Sequence, residues 1–336
     1  MPQNSQESKK RDLFLLKTAE SGVWTYSVLG LEKALVQSGL QPVIHQSSNL
    51  LRLLTRVLAR AGMVRNFWKS GNDIYLAILM GPAEYRLFPF SYGREVAVYC
   101  FDCWPGQYAR WEAFFRRNRL RLAFFTARGS AEYFAERLPA MQSVWMPEAV
   151  DPEDYDCSKQ LAERVIDVLE LGRREEAVHQ AITPRLRESR RVHLYEQQKG
   201  QIIFPTRETL VAGLSDSKIS VCFPSSMTHP ERSGDLETVT YRYFEAMASG
   251  CLIWGKCPQE LLDLFGYNPV IEADGKDPYG QLDGILQDPG KYQDLVDRNY
   301  GRLLEAGTWR VRAAAMMEAL EGCDFKSLHE ARCTGK

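Results

Sequence analysis

Short apolar segments alternate with amphipathic helical segments along almost the whole chain of 336 residues. Apolar runs of this kind are typical of strands that are buried on both faces, and the helices between them supply the crossovers of a parallel sheet. In the first half the predicted strands are "DLFLLK", "QPVIHQ", "NDIYLAILM", "EVAVYCFD", "LRLAFFTA" and "QSVWMPEAV". The pattern predicts an α/β fold that is built on doubly wound parallel sheets.

The alternation pauses once, in the Pro-rich and acidic segment "MPEAVDPEDYD", which is typical of a linker. It then restarts with the predicted strands "RVIDVLELG", "GQIIFP", "ISVCFP", "CLIWG" and "PVIEAD". We predict that the helix "REEAVHQAITPRL" ends at Pro184, because proline breaks the helical hydrogen-bond ladder. A chain of this length exceeds the usual size of one core. The sequence therefore predicts two Rossmann-like domains that join near residue 151 and face each other across a cleft.

Charge, cysteines and hydropathy exclude several classes of function. The net charge of -1 gives no basic footprint for nucleic acid. The eight cysteines show no disulfide framework, and the pair Cys100 and Cys103 has no second pair at a zinc-ribbon distance, so we predict reduced, buried thiols. No window approaches the length of a membrane span, and the first residues lack the pattern of a signal peptide. We expect a cytoplasmic protein.

The segment 227–245 combines a loop and a helix start at the predicted cleft, where ligands of open α/β sheets bind. The loop "MTHPERSGDLETVT" follows the strand "ISVCFP", and a helix is predicted to begin near Thr240. Thr238 or Thr240 can cap this helix, whose free N–H groups would form an anion site suited to phosphate. Glu245, about one turn further, can accept two hydrogen bonds from a vicinal diol. In the alternative interpretation Glu237 and Glu245 are solvated and the helix only packs.

The pair of glutamates also carries a resemblance to a known family. Glu237-x7-Glu245, followed by Ala-Met-Ala-Ser-Gly and an apolar strand, resembles the signature of group 1, family 4-like glycosyltransferases with the GT-B fold. The stretch "YRYFEAMASGCLI" is similar to the bacterial spore-maturation-type branch of these proteins. Four more segments resemble the family's glycine loop with its first helix, its interdomain segment, its first nucleotide-domain strand and its closing helix: "SGVWTYSVLGLEKAL", "PEAVDPEDY", "DVLELGRR" and "TWRVRAAAMMEAL".

The resemblance implies a domain organisation and roles for the residues of the motif. It implies an acceptor-side domain of residues 1–150, a nucleotide-sugar-binding domain of residues 151–310, and a helical segment 311–336 that crosses back to the first domain. Glu245 would hold the ribose hydroxyls, and Glu237 would face the donor sugar as a catalytic residue. The other donor-binding candidates of the motif are Thr238, Thr240, Tyr241 and Arg242. The family carries a glycine and an aromatic residue after the first glutamate, whereas Thr-Val-Thr-Tyr follows Glu237.

Two arginines, Arg173 and Arg174, follow the predicted strand "DVLELG". The resemblance implies that they meet the diphosphate of the donor. A guanidinium group suits that role, since it is planar, always charged and able to bind phosphate through two hydrogen bonds. The alternative is a surface pair with Glu175 or Glu176.

Candidates also lie at two strand ends of the first domain. Gly22 follows the first strand, and with Val23 it would form an acceptor or phosphate loop, because glycine lets the backbone approach a ligand closely. The alternative for Gly22 is an ordinary tight turn. Asp102 follows the fourth strand and could accept a proton from an acceptor hydroxyl or hold that hydroxyl in place. Its alternative is to cap the helix "YARWEAFF".

Two other patterns suggest a metal site and a membrane surface. Asp154-Tyr155-Asp156 resembles the D-x-D metal motif of the other glycosyltransferase fold, but it lies in the linker. GT-B enzymes as a class need no divalent metal, so we predict no metal and no cofactor besides a nucleoside-diphosphate sugar as co-substrate. The stretch Arg110–Phe125 interleaves arginines with aromatic residues. It could touch a membrane, but such a pattern more often belongs to an amphipathic helix that leads into a buried strand.

The predicted function is the transfer of a sugar from a nucleoside-diphosphate sugar to an acceptor hydroxyl, with retention and without a metal. The expected partners are the nucleotide-sugar donor and a carbohydrate, lipid-linked or small-molecule acceptor, with no nucleic acid. We expect a cytoplasmic location with possible weak peripheral contact at the inner membrane face. Two alternatives stay open: a protein that binds nucleotide sugars without transfer, and a nucleotide-sugar 2-epimerase.

Overall fold

The computed structural model describes residues 11–17, 26–44, 48–60, 73–198 and 200–323. These residues form two parallel β-sheets with helices on their faces, and the predicted α/β fold with two doubly wound domains is confirmed.

The first sheet is parallel, has six strands and follows the order β2-β1-β3-β4-β5-β6. Its strands are β1 (Leu13–Lys17), β2 (Gln41–Ile44), β3 (Ile74–Leu79), β4 (Glu95–Cys100), β5 (Leu122–Phe125) and β6 (Gln142–Trp145). Its helices are α1 (Tyr26–Gln37), α2 (Asn49–Arg60), α3 (Glu84–Leu87), α4 (Phe90–Gly93), α5 (Tyr108–Asn118) and α6 (Arg128–Arg137). Every residue of β3 and β4 is buried, as expected for central strands that are covered on both faces.

The second sheet is also parallel, has five strands and follows the order β11-β10-β9-β7-β8. Its strands are β7 (Ile166–Glu170), β8 (His193–Tyr195), β9 (Ser217–Cys222), β10 (Leu252–Gly255) and β11 (Ile271–Glu272). The helices are α7 (Glu176–Glu188), α8 (Arg207–Ser215), α9 (Ser225–Thr228), α10 (Pro230–Ser233), α11 (Tyr241–Ala248), α12 (Gln259–Phe265), α13 (Pro278–Gln287), α14 (Gln293–Ala306) and α15 (Trp309–Gly322). Strand order reverses between β1 and β3 in one sheet and between β7 and β9 in the other, and such switch points open a crevice at the strands' carboxyl ends.

Two predicted elements of the second domain are wrong. The segment "GQIIFP", residues 200–205, forms no strand, and the edge strand is instead β8. Phe204 of that segment packs against α8 instead: its ring lies so close to Gly213 that an added Cβ there would be 2.1 Å from it. Pro184 lies inside α7 rather than at its end. Proline has no N–H to donate to the carbonyl one turn earlier, and because Pro184 is exposed, water can bond that carbonyl instead. Ile182 and Leu186 are fully buried and hold the helix on the sheet.

The last helix, α15, belongs to the core of the first sheet. Trp309, Ala313, Met316 and Leu320 are buried in the same hydrophobic cluster as residues of β1, β3 and β4. The indole of Trp309 covers Gly30 of α1 so closely that an added Cβ would lie 2.7 Å from it. The domain boundaries at 150 and 310 stay predictions, and residues 324–336 lie outside the described part.

The two chain crossings between the domains run side by side. The backbone N–H of Val150 donates to the carbonyl of Gly307 at 3.1 Å, and the N–H of Trp309 donates to the carbonyl of Val150 at 3.0 Å. Val150 and Thr308 thus form a parallel β-bridge. The connection between the domains is a hydrogen-bonded pair of chain segments rather than a single linker.

Candidate functional site

Loops from the carboxyl ends of both sheets meet at the cleft. Asp102 follows β4 with a left-handed backbone at a φ of 51°, and its carboxylate accepts a hydrogen bond from Arg232 of α10 at 2.9 Å. On the same edge, the backbone N–H of Arg128, the first residue of α6, donates to Glu260 of α12 at 2.6 Å. The guanidinium of Arg128 also pairs with Asp263. These contacts place the candidate residues of the two domains on facing edges.

Glu245 lies in α11 and is 2% exposed. The hydroxyl of Tyr155 donates to its Oε1 at 2.9 Å, and Arg242 donates to its Oε2. Nη1 of Arg207 lies 3.8 Å from Oε1. A buried carboxylate is destabilising unless it is paired and hydrogen-bonded, and here two guanidinium groups compensate it. We call Tyr155, Arg207, Tyr241, Arg242 and Glu245 the Glu245 cluster.

The two tyrosines of the Glu245 cluster are held as hydrogen-bond donors. Their hydroxyl oxygens are 3.1 Å apart. Burial, together with the nearby charge of Glu245, raises the pKa of both Tyr155 and Tyr241, so both keep their protons. The guanidinium carbon of Arg207 lies 4.4 Å from the ring centre of Tyr155 and 5.0 Å from that of Tyr26, the first residue of α1. Arg207 thereby connects the cluster to the first domain.

The start of α11 is arranged differently from the predicted cap. Thr240 occupies the N-cap position, but its side chain makes no cap hydrogen bond. The hydroxyl of Thr238 donates instead to the buried carboxylate of Glu260 at 2.9 Å. The same carboxylate accepts a hydrogen bond from the backbone N–H of Val239. The N–H of Tyr241 donates to the carboxyl of Glu148. A carboxyl from the interdomain segment therefore occupies the helix start at which we predicted an anion site.

Glu148 is the most strongly perturbed carboxyl at the cleft. Burial and the nearby charge of Asp102 raise its pKa to about 8, although the N–H of Tyr241 and the charge of Arg242 oppose the shift. Below that pH the group is uncharged and can donate a proton. The charge of Glu245 also raises this pKa, so the Glu148 carboxyl lies near enough to both Asp102 and Glu245 to feel their charges.

Arg173 and Arg174 follow β7 as predicted, and they differ in their surroundings. Arg173 is exposed. Arg174 turns toward the edge strand β8: it donates to the carbonyl of Glu196 at 3.0 Å, and its guanidinium lies 5.5 Å from the ring centre of Tyr195. Its Nη1 is also 3.3 Å from Nε2 of His179. The contact of either arginine with a diphosphate stays a prediction.

In the described part of the chain, one group of side chains has the composition of a metal site: Glu170, His179 and His193. Oε1 of Glu170 lies 2.8 Å from Nδ1 of His179 and 2.7 Å from Nε2 of His193. Arg174, a pure donor, stands at Nε2 of His179, so Nδ1 carries that ring's proton and donates it to Glu170. Burial opposes ionisation of Glu170, but the two imidazole hydrogen bonds outweigh it and lower its pKa. The residues fit a hydrogen-bonded network better than a cation.

The remaining candidates of the motif and the first domain lie as follows. Glu237 is half-buried and accepts the N–H of Gln259 at 3.3 Å. Gly22 and Val23 lie outside the described residues. Asp102 does not cap α5, because that helix begins at Tyr108 after an intervening 3-10 turn, and the helix-cap alternative is wrong. The roles that we predicted for these residues stay predictions.

The two aspartates of the D-x-D pattern are bonded to protein side chains and backbone, and the two cysteines of the C-x-x-C pattern are buried. Asp154 pairs with Arg207 at 3.8 Å, and Asp156 accepts hydrogen bonds from Ser158 and Ser215. Cys100 and Cys103 are buried free thiols, and burial raises the pKa of each.

The aromatic residues of the stretch 110–125 are buried in the core of the first domain, and Arg116 pairs with Glu112. This stretch therefore presents no apolar face. In the described residues, moreover, none of the helices combines the length and the apolar character that crossing a bilayer requires.

Sequence reasoning missed Glu148, Tyr155 and Arg207. Glu148 and Tyr155 both lie in the segment "PEAVDPEDY", and an interdomain segment beside a cleft is a place where such residues could have been sought. Arg207 is the first residue of α8, and no local pattern distinguishes it.

Comparison with solved structures identifies the fold. HepE from Anabaena, in its crystal structure with UDP, is similar with a TM-score of 0.57 and 11% sequence identity over 93% of this chain and 99% of that chain. A glycosyltransferase from Rickettsia africae has a TM-score of 0.57 and 9% identity over 94% and 98%. Sucrose-phosphate synthase from Thermosynechococcus elongatus has a TM-score of 0.56 and 14% identity over 97% and 100%. The likeness to these glycosyltransferases shows that the chain has the GT-B fold.

The sequence itself matches no known family model, and no curated protein matches it.

Proposed function

We propose that this chain is a glycosyltransferase that moves a sugar from a nucleoside-diphosphate sugar to an acceptor hydroxyl, with retention and without a metal ion. The observation that carries the proposal is the buried Glu245 cluster at the interdomain cleft of a GT-B fold. HepE, which shares the fold, has been crystallised with UDP and with UDP-glucose. Fold alone does not imply function, which resides in the side chains of the site.

Glu245 has acceptor capacity left for a ribose diol. An ionised carboxylate offers about four lone-pair positions. In the structure Tyr155 takes a position on Oε1 and Arg242 takes one on Oε2, so each oxygen retains acceptor capacity. Two neighbouring hydroxyls match two neighbouring carboxylate oxygens, and hydrogen bonds that a charged group makes are the stronger ones.

The diphosphate would lie at the start of α11. The first N–H groups of a helix attract anions, and Glu148 now accepts one of them, that of Tyr241. Because burial keeps Glu148 neutral near pH 7, a phosphate oxygen can replace it without repulsion between two negative charges. Arg173 or Arg174 would meet the charge that grows on the leaving diphosphate, where fixed cations lower the barrier most.

The acceptor would enter from the first domain. Asp102 follows β4 and contacts Arg232 of the second domain, and the hydroxyl of the acceptor would be held there against the donor sugar. Closure of the two domains would exclude water and align the reacting atoms. Glu237 would contact the donor sugar. Retention is inferred from the spacing of Glu237 and Glu245, and the acceptor class extends to carbohydrates, lipid-linked sugars and small molecules.

Binding and turnover test the proposal separately. Thermal shift with UDP, GDP, ADP and TDP should identify the base, since a ligand at a hundred times its dissociation constant stabilises the fold by about 2.7 kcal/mol. Each charge-assisted hydrogen bond to the diol contributes roughly 1.5–3 kcal/mol. Glu245→Ala should therefore raise the dissociation constant at least about tenfold, because each 1.4 kcal/mol is a factor of ten. The exposed Glu132→Ala on α6 is the matched control.

Unchanged binding by Glu245→Ala, measured calorimetrically, would refute the ribose role and with it the central inference. A second candidate function, nucleotide-sugar binding without transfer, is favoured by one observation: the carboxylate of Asp102 is paired with Arg232. The raised pKa of Glu148 favours its protonated form, so neither carboxyl is a free base. Tight binding with no transfer or donor hydrolysis would select that candidate. Epimerised sugar formed without any acceptor would select a 2-epimerase.

A further inference from the structure

The helix α2, residues Asn49–Arg60, turns its most apolar face to solvent. Leu50, Leu53, Leu54 and Val57 are 67%, 57%, 49% and 54% exposed. Their spacing of i, i+3, i+4 and i+7 places them on one side of the helix. A surface helix of a globular domain normally buries such a stripe, so this orientation is the reverse of the usual one.

The opposite side of α2 faces the protein. Thr55 is 3% exposed, and its hydroxyl donates to the carbonyl of Leu51 at 2.8 Å. A polar residue is therefore buried while four large apolar residues stay outside. Contiguous exposed apolar surface of this kind marks a docking site.

Along the sequence, the segment that contains α2 carries charges of one sign. Residues 49–72 contain no Asp or Glu, and their cations are Arg52, Arg56, Arg60, Arg65 and Lys69. The whole chain has a net charge of only -1, so this is a local concentration. On the neighbouring helix α3, the ring of Tyr85 carries two guanidinium groups, with Arg52 at 5.0 Å and Arg86 at 5.8 Å from its centre.

Two acidic residues that follow this segment are ion-paired. Asp73 lies 3.7 Å from Arg94, and Glu84 pairs with Arg117. The sequence segment that contains α2 is therefore cationic.

We propose that the exposed face of α2 lies in the headgroup region of an anionic membrane. Amphipathic helices with leucines on one side and basic residues beside them bind lipid by apolar burial together with attraction to anionic headgroups. A second copy of the chain fits less well, because a two-fold interface would bring two cationic segments against each other. The proposal does not depend on sugar transfer.

Such an orientation would also place the cleft beside the lipid surface. The strand β2 is parallel to its neighbours, and α2 begins a few residues after the carboxyl end of β2, at the sheet edge that borders the cleft. A lipid-linked acceptor could then reach the first domain without leaving the membrane.

Co-sedimentation of the full chain with vesicles tests the proposal. Vesicles of phosphatidylcholine with phosphatidylglycerol at a 7:3 ratio should bind the protein, vesicles of phosphatidylcholine alone should bind it at least tenfold more weakly, and salt should weaken the binding. The double variant Leu50→Ser with Leu54→Ser should lower the partition coefficient at least tenfold. The control Leu29→Ser with Leu304→Ser, at residues that are 39% and 42% exposed on other helices, should bind like the parent.

The four substituted leucines, two in the test variant and two in the control, are all exposed. Both variants should therefore keep the parent's melting temperature, which is measured in parallel. Equal binding to both vesicle types, or no binding to either, would overturn the proposal. Analytical ultracentrifugation gives the oligomeric state. If the parent is a dimer and the changes at Leu50 and Leu54 dissociate it, the proposal is overturned and a second copy of the chain is the occupant of this face.

Discussion

Replacing Glu148 by glutamine removes a proton that the folded protein holds up to a pH of about 8. An exposed glutamate loses its proton near 4.5, and each unit of difference in pKa corresponds to about 1.4 kcal/mol. Between these two values the folded state binds the proton and the unfolded state does not. The stability of the parent therefore falls as the pH rises from about 5 to about 8, and the Glu148 contribution is constant above that range. The upper limit of the loss is roughly 5 kcal/mol.

Glu148→Gln keeps the shape of the neutral carboxyl but cannot ionise. Its melting temperature, relative to that of the parent, should rise between pH 5 and pH 8. Half of the upper limit would amount to about 5 °C or more, at about 2–4 °C per kcal/mol for domains of this size. The matched control is Glu136→Gln on the exposed side of α6, which should show no such trend.

The pH dependence of nucleotide affinity is a second test of the protonation of Glu148. Above pH 8 the ionised Glu148 would compete with the diphosphate for the helix start, so nucleotide affinity should fall in the parent and hold in Glu148→Gln. Differential scanning fluorimetry and calorimetry at pH 5 to 9 measure both quantities. A melting-temperature difference that stays flat across this range would show that Glu148 does not hold the proton and that its carboxyl is not neutral at the start of α11.

Three further predictions concern the donor and the reaction. Arg173→Ala with Arg174→Ala should weaken binding of the nucleoside diphosphate at least tenfold and binding of the nucleoside hardly at all, measured by calorimetry; equal losses would remove the arginines from the phosphate site. Glu237→Gln should lower kcat or relax sugar choice in initial-rate assays while diphosphate binding is kept, and a loss of binding would place Glu237 at the nucleotide instead. Transfer should continue in EDTA; activity that is lost and then restored by manganese or magnesium would return Asp154 and Asp156 to consideration as metal ligands.

The sequence predicted the fold well where local periodicity dominates. The strands of the first sheet and most of those of the second are long enough apolar runs to be recognised without neighbours. The errors occur where tertiary contacts outweigh local preference. The ring of Phe204 packs on Gly213 rather than in a strand, and Pro184 is carried inside α7 because Ile182 and Leu186 are anchored on either side of it.

The candidate site was predictable only in part, for a related reason. Glu245 could be proposed from its motif, but its partners Tyr155 and Arg207 come from distant segments that meet it only in the folded chain. The pKa of Glu148 depends on enclosure between two domains and on the charge of Asp102, and neither is encoded by nearby residues. Spacing along a sequence identifies side chains that share one element, whereas electrostatics at a cleft depends on all the elements that enclose it.

The position of α15 has a consequence for the order in which the protein is made. The helix is translated after both sheets, yet Trp309, Met316 and Leu320 complete the core around β1 and α1, which are translated before the second sheet. The first domain would emerge from the ribosome with Gly30 and its neighbours uncovered, and it would wait for the whole second domain to be synthesised. A gene fragment that ends near residue 150 should therefore yield an aggregating product, and the full chain should acquire protease resistance only after residue 322 has been released.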